Sequence, residues 1–141
     1  MTQEEKRLLL KDLCARLPYG VICVTTSVYY DDDDNEIGQA QGRLVSINKH
    51  GASFVDDRDD TTFGADFEDN GQIGFKPYLR PMSSMTEEEK EENEMFFHSY
   101  STSLDERKSM ERIDWLLEHH FDYRGLIEKG LALEAPKGMY D

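Results

Sequence analysis

The fold class is decided by the stretch RLVSINKHGASFV, residues 43–55. Side chains in residues 43–48 alternate between two faces, which is typical of a strand because successive strand residues point to opposite sides. Residues 49–51 are short and polar, and they predict a tight connection to a second strand at residues 52–55. We therefore expect an antiparallel hairpin near the middle of the chain.

Two further β-rich segments flank this hairpin. Residues 21–30, VICVTTSVYY, are dense in β-branched and aromatic residues and predict a strand. Residues 72–79 resume an extended pattern, whereas the acidic stretches 31–36 and 56–70 predict loops. Because consecutive strands on short links pair antiparallel, we expect a three- to four-stranded antiparallel meander. A bent sheet of the SH3-like type is one form that such a meander takes.

Helical patterns occupy both ends of the chain. Thr2 with Glu5, and Thr86 with Glu89, have the spacing of capping boxes, so helices are predicted to begin there. A break at residues 99–103 precedes a third helix. Its predicted apolar stripe, at helical spacing, comprises Met110, Ile113, Leu117 and Phe121, and Trp115 and Leu116 widen this face.

These elements predict an α+β protein that forms a single domain over residues 1–141. Residues 1–80 supply an N-terminal helix and the sheet, and residues 81–141 supply two to three helices that cover it. A chain of this length buries about two-thirds of its unfolded surface, so it folds without a disulfide or a metal.

Negative charge is concentrated in the middle of the chain. Residues 31–94 hold 18 of the 30 acidic side chains and six basic ones, which accounts for −12 of the net charge of −14. Such a surface repels nucleic acid and anionic lipid and attracts basic protein surfaces. We expect a protein partner with a basic surface, no direct nucleic-acid binding and no membrane association. The acidic N-terminus and the lack of a long apolar run predict a cytoplasmic protein.

The chain contains neither a nucleophile elbow nor a phosphate-binding glycine loop. We therefore expect no enzymatic activity and no cofactor. The leading hypothesis is a non-enzymatic protein-interaction module, and the segment between the predicted sheet and the acidic helix is the candidate docking site. Its apolar and basic residues are Tyr78, Leu79, Arg80, Met82 and Met85. The alternative is that this segment is a semi-rigid linker that packs on the domain.

A second hypothesis is an enzyme or small-ligand binder with its site near residues 119–124. This turn brings an acid, a base and a cation together. The candidate ligand-binding residues are His119, His120, Asp122, Tyr123 and Arg124. The structural alternative is that Asp122 caps the next turn while the neighbouring aromatic rings pack.

A weaker metal hypothesis concerns Asp57, Asp59 and Glu68. They fall at positions 1, 3 and 12 of a calcium-loop pattern. Thr62 stands where that pattern requires glycine, and a strand precedes the loop where the pattern has a helix. A solvated acidic loop is therefore the simpler prediction, with no metal bound.

Three blocks carry a resemblance to other proteins. They are LLLKDLCARLPYGV (residues 8–21), KPYLRPMSSMTEEE (residues 76–89) and, towards the C-terminus, IDWL (113–116) with HHFDYRGLIEKGL (119–131). With these blocks the chain resembles a group of small uncharacterised proteins of gut Bacteroidetes and of their phages or mobile elements. The resemblance implies a cytoplasmic setting and a phage or mobile-element accessory role. It brings no activity, cofactor or catalytic residue, and it does not extend to residues 27–70. A structural or virion-associated protein is a third hypothesis, independent of the resemblance.

Overall fold

The computed structural model describes residues 1–27, 29–30, 33–96 and 106–141. The predicted break at residues 99–103 lies outside these ranges. Over the described part of the chain, no helix is both long enough and apolar enough to cross a membrane.

Helix α1 (Gln3–Arg16) begins where the sequence predicts. The Thr2 hydroxyl accepts a hydrogen bond from the Glu5 amide at 3.0 Å, and the Glu5 carboxylate accepts one from the Thr2 amide at 2.9 Å. Helix α2 (Glu87–Met95) begins with the same reciprocal bonds between Thr86 and Glu89. Both capping boxes are confirmed, because they depend on side chains only three residues apart. Helix α3 spans Glu106–Glu118.

The main sheet has six strands in the order β10-β9-β1-β4-β5-β6. All neighbours pair antiparallel except β10, which runs parallel to β9. Two small hairpins, β2–β3 and β7–β8, stand outside this sheet. The strands in chain order are β1 (Ile22–Thr25), β2 (Tyr29–Tyr30), β3 (Glu36–Gly38), β4 (Gln41–Ile47), β5 (Gly51–Asp56), β6 (Thr62–Asp66), β7 (Glu68–Asp69), β8 (Gln72–Ile73), β9 (Phe75–Leu79) and β10 (Leu133–Glu134).

The central hairpin, β4–β5, is confirmed. Asn48 closes its turn, since the Asn48 Oδ1 atom accepts hydrogen bonds from the amides of His50 and Gly51 at 2.8 and 3.2 Å. An asparagine side chain that binds the backbone two residues on is a common device of tight turns.

The α+β class and the N-terminal helix are confirmed, but the three- to four-stranded meander and its SH3-like form are not. Strand β9 does not follow β6 across the sheet; it pairs with β1 on the opposite side from β4. The predicted strand at residues 21–30 ends at Thr25, and Tyr29–Tyr30 pairs with β3 instead. The predicted loop at residues 56–70 contains β6, because Phe63 stacks on Phe54 at 5.1 Å and ties this segment to the core.

The main hydrophobic core lies between α1 and the sheet. Leu9 and Leu13 of α1 are fully buried in it, together with Phe54, Phe67 and Phe75. Phe75 contacts both other rings, with centroids 5.1 and 5.2 Å apart. A β-carbon at residue 74 would overlap the Asp66 carbonyl oxygen, so glycine there lets the β7–β8 hairpin fold back on β6.

The predicted stripe on α3 is only half right. Leu117 and Phe121 are buried, but Met110 and Ile113 are 66% and 39% exposed. Leu116, which widens the predicted face, is fully buried and joins Phe121 and Met85 in a second, smaller core. Helix α3 therefore packs on the second core, and α2 has no buried residue. Residues 126–132 complete the main core without forming a helix.

Candidate functional site

The segment predicted to dock a partner is built into the fold. Leu79 is fully buried in the main core, and Met85 is buried in the second core. Half-buried Met82 packs against that second core. The Tyr78 carbonyl accepts a hydrogen bond from the Tyr140 hydroxyl at 2.7 Å. This arrangement corresponds to the packed linker, because most of these groups are already in contact within the molecule.

Arg80 joins the end of β9 to α2. Its guanidinium makes two hydrogen bonds to the Glu89 carboxylate, at 2.6 and 2.8 Å, and lies 4.2 Å from the centre of the Phe121 ring. The hydrogen bonds from Arg80 are the main reason that the pKa of Glu89 falls to about 2. Glu89 also accepts from the Thr86 amide, so a single carboxylate fixes both the start of α2 and its attachment to the sheet.

The second predicted site, residues 119–124, is a junction between α3 and the sheet. Asp122 accepts hydrogen bonds from the amides of Leu126 and Ile127, at 2.8 and 3.0 Å, and so caps the following turn. The His119 ring packs against Trp115 at a tilt of 31°, with centroids 4.4 Å apart, and its Nδ1 atom lies 2.8 Å from the Trp115 carbonyl oxygen. These two side chains therefore serve the local fold.

His120 has a left-handed backbone, with φ of 64°. Its ring stacks on Tyr140 with centroids 3.7 Å apart. Burial, and then the positive charges of Arg16, Arg80 and His119, lower its pKa to about 4. The ring is therefore neutral near pH 7, and its buried Nδ1 atom makes no hydrogen bond with the described part of the chain.

Sequence reasoning missed the buried ion pair beneath this junction. Asp12 and Arg16 of α1 are fully buried, and the Arg16 Nε atom donates to the Asp12 carboxylate at 2.6 Å. Arg16 also donates to the Phe121 carbonyl oxygen at 2.7 Å, and Arg124 donates to Asp12 at 3.1 Å. The spacing of four residues between Asp12 and Arg16 was the available signal, but surface pairs have the same spacing.

Tyr123 lies between these two arginines. The guanidinium carbons of Arg16 and Arg124 are 5.9 and 4.9 Å from the centre of its ring. Burial raises the pKa of the Tyr123 hydroxyl, which makes no hydrogen bond with the described residues. The junction thus gathers an acid, a histidine and two cations, but their contacts are with one another and with the backbone.

Two acidic residues of the metal hypothesis, Asp57 and Asp59, lie in the turn between β5 and β6, and the third, Glu68, lies on another element. The Asp59 carboxylate accepts hydrogen bonds from the amide and the hydroxyl of Thr61, at 3.0 and 2.6 Å, in the turn between β5 and β6. Glu68 belongs to the β7–β8 hairpin. Among the residues that the structure describes, no group of three or more His, Cys, Asp and Glu side chains could hold a metal ion.

A groove between α2 and α3 is the candidate binding surface that the structure adds. It has a volume of about 340 Å³ and is lined by Glu92, Met95, Phe96, Glu111 and Trp115. Trp115 donates from its indole nitrogen to Glu92 at 2.9 Å, and its ring lies 6.2 Å from that of Phe96. Met95 is 69% exposed. The groove therefore combines apolar side chains with two carboxylates; we refer to it below as the α2–α3 groove.

Concave regions elsewhere on the described part of the chain have different linings. One, of about 400 Å³, lies on the sheet beside small side chains such as Ser46 and Ser53, with Asp66 at its margin. Another, of about 430 Å³, separates residues 80–86 from residues 134–141 and mixes apolar side chains with charges of both signs. A third, of about 300 Å³, lies beside Leu10 and is lined by basic residues. The α2–α3 groove differs from these because both of its charged side chains are carboxylates.

Comparisons with protein-family models, curated proteins and solved structures found no match to this chain. The resemblance carried by the three sequence blocks therefore stays a prediction.

Proposed function

We propose that the chain is a non-enzymatic protein-binding module whose acidic helix α2 faces a basic partner. The observation that carries the proposal is that α2 buries none of its residues, although it contains six glutamates and one lysine. Amphipathic helices of globular proteins usually bury an apolar stripe. A helix that lacks one must be held by polar contacts, and it leaves its charged surface available to a partner.

Polar contacts along one side hold α2 on the domain. Glu89 binds Arg80, Asn93 accepts from Arg112 at 2.9 Å, and Glu92 accepts from Trp115. The remaining glutamates point away from these contacts and are exposed: Glu87, Glu88, Glu91 and Glu94. The attachment of α2 therefore directs a predominantly acidic face outward, on which Lys90 is the one basic residue and pairs with Glu87 at 3.2 Å.

This acidic face is costly for the isolated molecule. Like charges three or four residues apart destabilise a helix by about 0.2–0.5 kcal/mol per pair. Glutamates in the first turn are favoured by the helix dipole, but Glu94 lies in the last turn, where the dipole disfavours an anion. Salt screens charges over a length of about 8 Å at physiological ionic strength. A basic partner whose charges lie within this distance of α2 would relieve the repulsion.

The contacts of Asp122 and Arg124, two residues of the alternative ligand-binding site, also favour a non-enzymatic role. Asp122 is engaged by two backbone amides and Arg124 by Asp12. A catalytic acid or base must instead reach a proton on a bound substrate. With the resemblance to proteins of gut Bacteroidetes and their phages, the proposal makes the chain a phage or mobile-element accessory protein.

Variants in which glutamates of α2 are replaced by glutamine test the proposal through their affinity for partner proteins. Proteins recovered with the chain as bait are purified, and their affinities for the chain are measured across a series of salt concentrations. We expect the triple variant E88Q/E91Q/E94Q to weaken binding by about tenfold or more, because each lost charge removes attraction to the partner. The matched control E4Q/E128Q/E134Q removes the same charge at exposed positions elsewhere and should bind normally.

Equal weakening by the two triple variants would refute the proposal, because net charge alone would then explain the binding. Failure of every purified candidate to bind the unmodified chain at low and moderate salt would refute it as well.

A further inference from the structure

The floor of the α2–α3 groove is apolar and accessible. Met95 is more than two-thirds exposed, at 69%, and lies at the end of α2, where Phe96 and Trp115 bring two aromatic rings together. Exposed apolar residues that adjoin a concavity are typical of interaction sites. The volume, about 340 Å³, is at the lower end of the range of about 300–1,000 Å³ for small-molecule pockets. It suits one or two side chains of a partner.

The walls of the groove carry negative charge. Glu92 lies on the α2 side and Glu111 on the α3 side, so an apolar group between them would be flanked by carboxylates on both helices. The exposed face of α2 adds Glu88 and Glu91 nearby along the same helix. An occupant with positive side chains on either side of an apolar one complements this arrangement.

We propose that the α2–α3 groove binds a basic amphipathic helix of a partner protein, with one bulky apolar side chain inserted between Glu92 and Glu111. The inference rests on the proposed function and adds the mode of binding. Helices commonly dock in grooves through a few apolar anchors, and here Lys or Arg one turn before and after the anchor would meet the two carboxylates.

Charge also argues against a second copy of this chain as the occupant. Each copy carries a net charge of −14. The other exposed apolar residues of α3, Met110 and Ile113, have Glu111 and Asp114 as neighbours in the chain. Insertion of either residue into another copy's groove would bring carboxylates against Glu92 and Glu111.

The groove contains its own reporter, because Trp115 is the only tryptophan of the chain. The probe is a synthetic amphipathic helix of leucine and lysine. A matched peptide replaces each leucine by serine and keeps every lysine. We expect the leucine peptide to shift Trp115 emission to shorter wavelength in a saturable manner. The serine peptide should bind about tenfold more weakly or not at all, since it lacks the anchor.

Two methionines give matched variants. Met95 lines the groove and is 69% exposed, whereas Met110 is 66% exposed and does not line it. M95S should weaken binding of the leucine peptide by about tenfold, and M110S should leave it unchanged. Because both side chains are exposed, neither substitution is expected to unfold the protein. Unfolding curves of the two variants check this.

The outcomes separate this inference from the proposed function. If the two peptides bind equally well and E88Q/E91Q/E94Q weakens the binding of both, the groove proposal is wrong, whereas the proposed binding by the acidic surface is supported. Binding of the leucine peptide that depends on Met95 but not on those glutamates would support the groove and count against the acidic surface. Equal effects of M95S and M110S would overturn the groove. So would a change in Trp115 emission with protein concentration in the absence of peptide, together with a dimer in sedimentation, because a second copy would then be the occupant.

Discussion

Arg16 and Asp12, one turn apart on α1, form an ion pair in which neither side chain has any exposed surface. The Arg16 guanidinium also donates a hydrogen bond to the Phe121 carbonyl oxygen, and the Asp12 carboxylate accepts one from Arg124. The pair thereby joins the first helix to the segment after α3. Buried ions are costly unless the protein supplies their hydrogen bonds, and Arg16 has partners at Nε and Nη2 but none at Nη1 within the described residues.

Loss of Asp12 should therefore be severe. We expect D12A to lower the free energy of unfolding by about 3–5 kcal/mol, since it leaves the Arg16 charge buried without its carboxylate. Chemical denaturation measures the change. K11A, at the exposed neighbouring residue, is the control and should change stability by less than about 0.5 kcal/mol. The double variant D12L/R16M should recover part of the loss; if it is less stable than D12A, the unpaired charge is not the cause.

The ion pair between Arg80 and Glu89 should make stability depend on pH. The pKa of Glu89 is lowered from its ordinary value of 4.5 to about 2, chiefly by Arg80. The unfolded chain therefore takes up this proton first as pH falls. The stabilisation is fully present above pH 4.5 and disappears as pH approaches 2.

The variant E89Q isolates this contribution. We expect it to be less stable than the unmodified chain by about 1–2 kcal/mol at pH 7, after allowance for solvent screening, and by progressively less between pH 4.5 and 2. Denaturation across this pH range gives the difference. E88Q, one residue earlier and exposed, should show no such convergence. A constant difference between E89Q and the unmodified chain would contradict the prediction.

His120 predicts a second pH dependence at higher pH. Burial, with Arg16, Arg80 and His119 nearby, lowers its pKa from 6.5 to about 4. The unfolded chain binds the proton first, so stability should fall as pH decreases from 6.5 to 4. H120N keeps a residue that tolerates the left-handed backbone and removes the proton-binding group. After allowance for solvent screening of this partly exposed ring, the stability of the unmodified chain should decrease across this window by about 1–2 kcal/mol more than that of H120N. Parallel curves would show that His120 is protonated equally in both states.

Gly74 should not tolerate a side chain. The β-carbon of G74A would overlap the Asp66 carbonyl oxygen, and a backbone atom has no rotamer by which to move aside. We expect a loss of about 1–3 kcal/mol in the free energy of unfolding. G71A is the comparison, because residue 71 has open space around it and a positive φ of 79°. In G71A the left-handed backbone alone costs about 1 kcal/mol, so G74A should lower the free energy of unfolding by more than G71A. The reverse order would mean that the β7–β8 hairpin shifts to accommodate the new side chain.

Local signals in the sequence predicted the elements that depend on near neighbours. The capping boxes at Thr2 and Thr86, and the hairpin of β4 and β5, each involve residues a few positions apart. Strand β6 was missed because its exposed positions are polar and its surroundings acidic, although Phe63 and Ala65 alternate as in any half-buried strand.

The features missed at the candidate sites depend on distant residues. Met110 and Leu116 are equally suited to a buried helix face, and only the contact of Leu116 with Met85 and Phe121 decides between them. The α2–α3 groove likewise needs Phe96 and Trp115 to meet from two helices. No periodicity within one helix contains that information.

The Phe121 carbonyl oxygen that receives Arg16 is synthesised 105 residues after that arginine, and β10, which completes the sheet, comes later still. During synthesis, α1 is made before the residues that its buried Arg16 contacts. Contacts between such distant residues form slowly. The native contacts of α1 are therefore expected to form only after residues 121–134 have been synthesised.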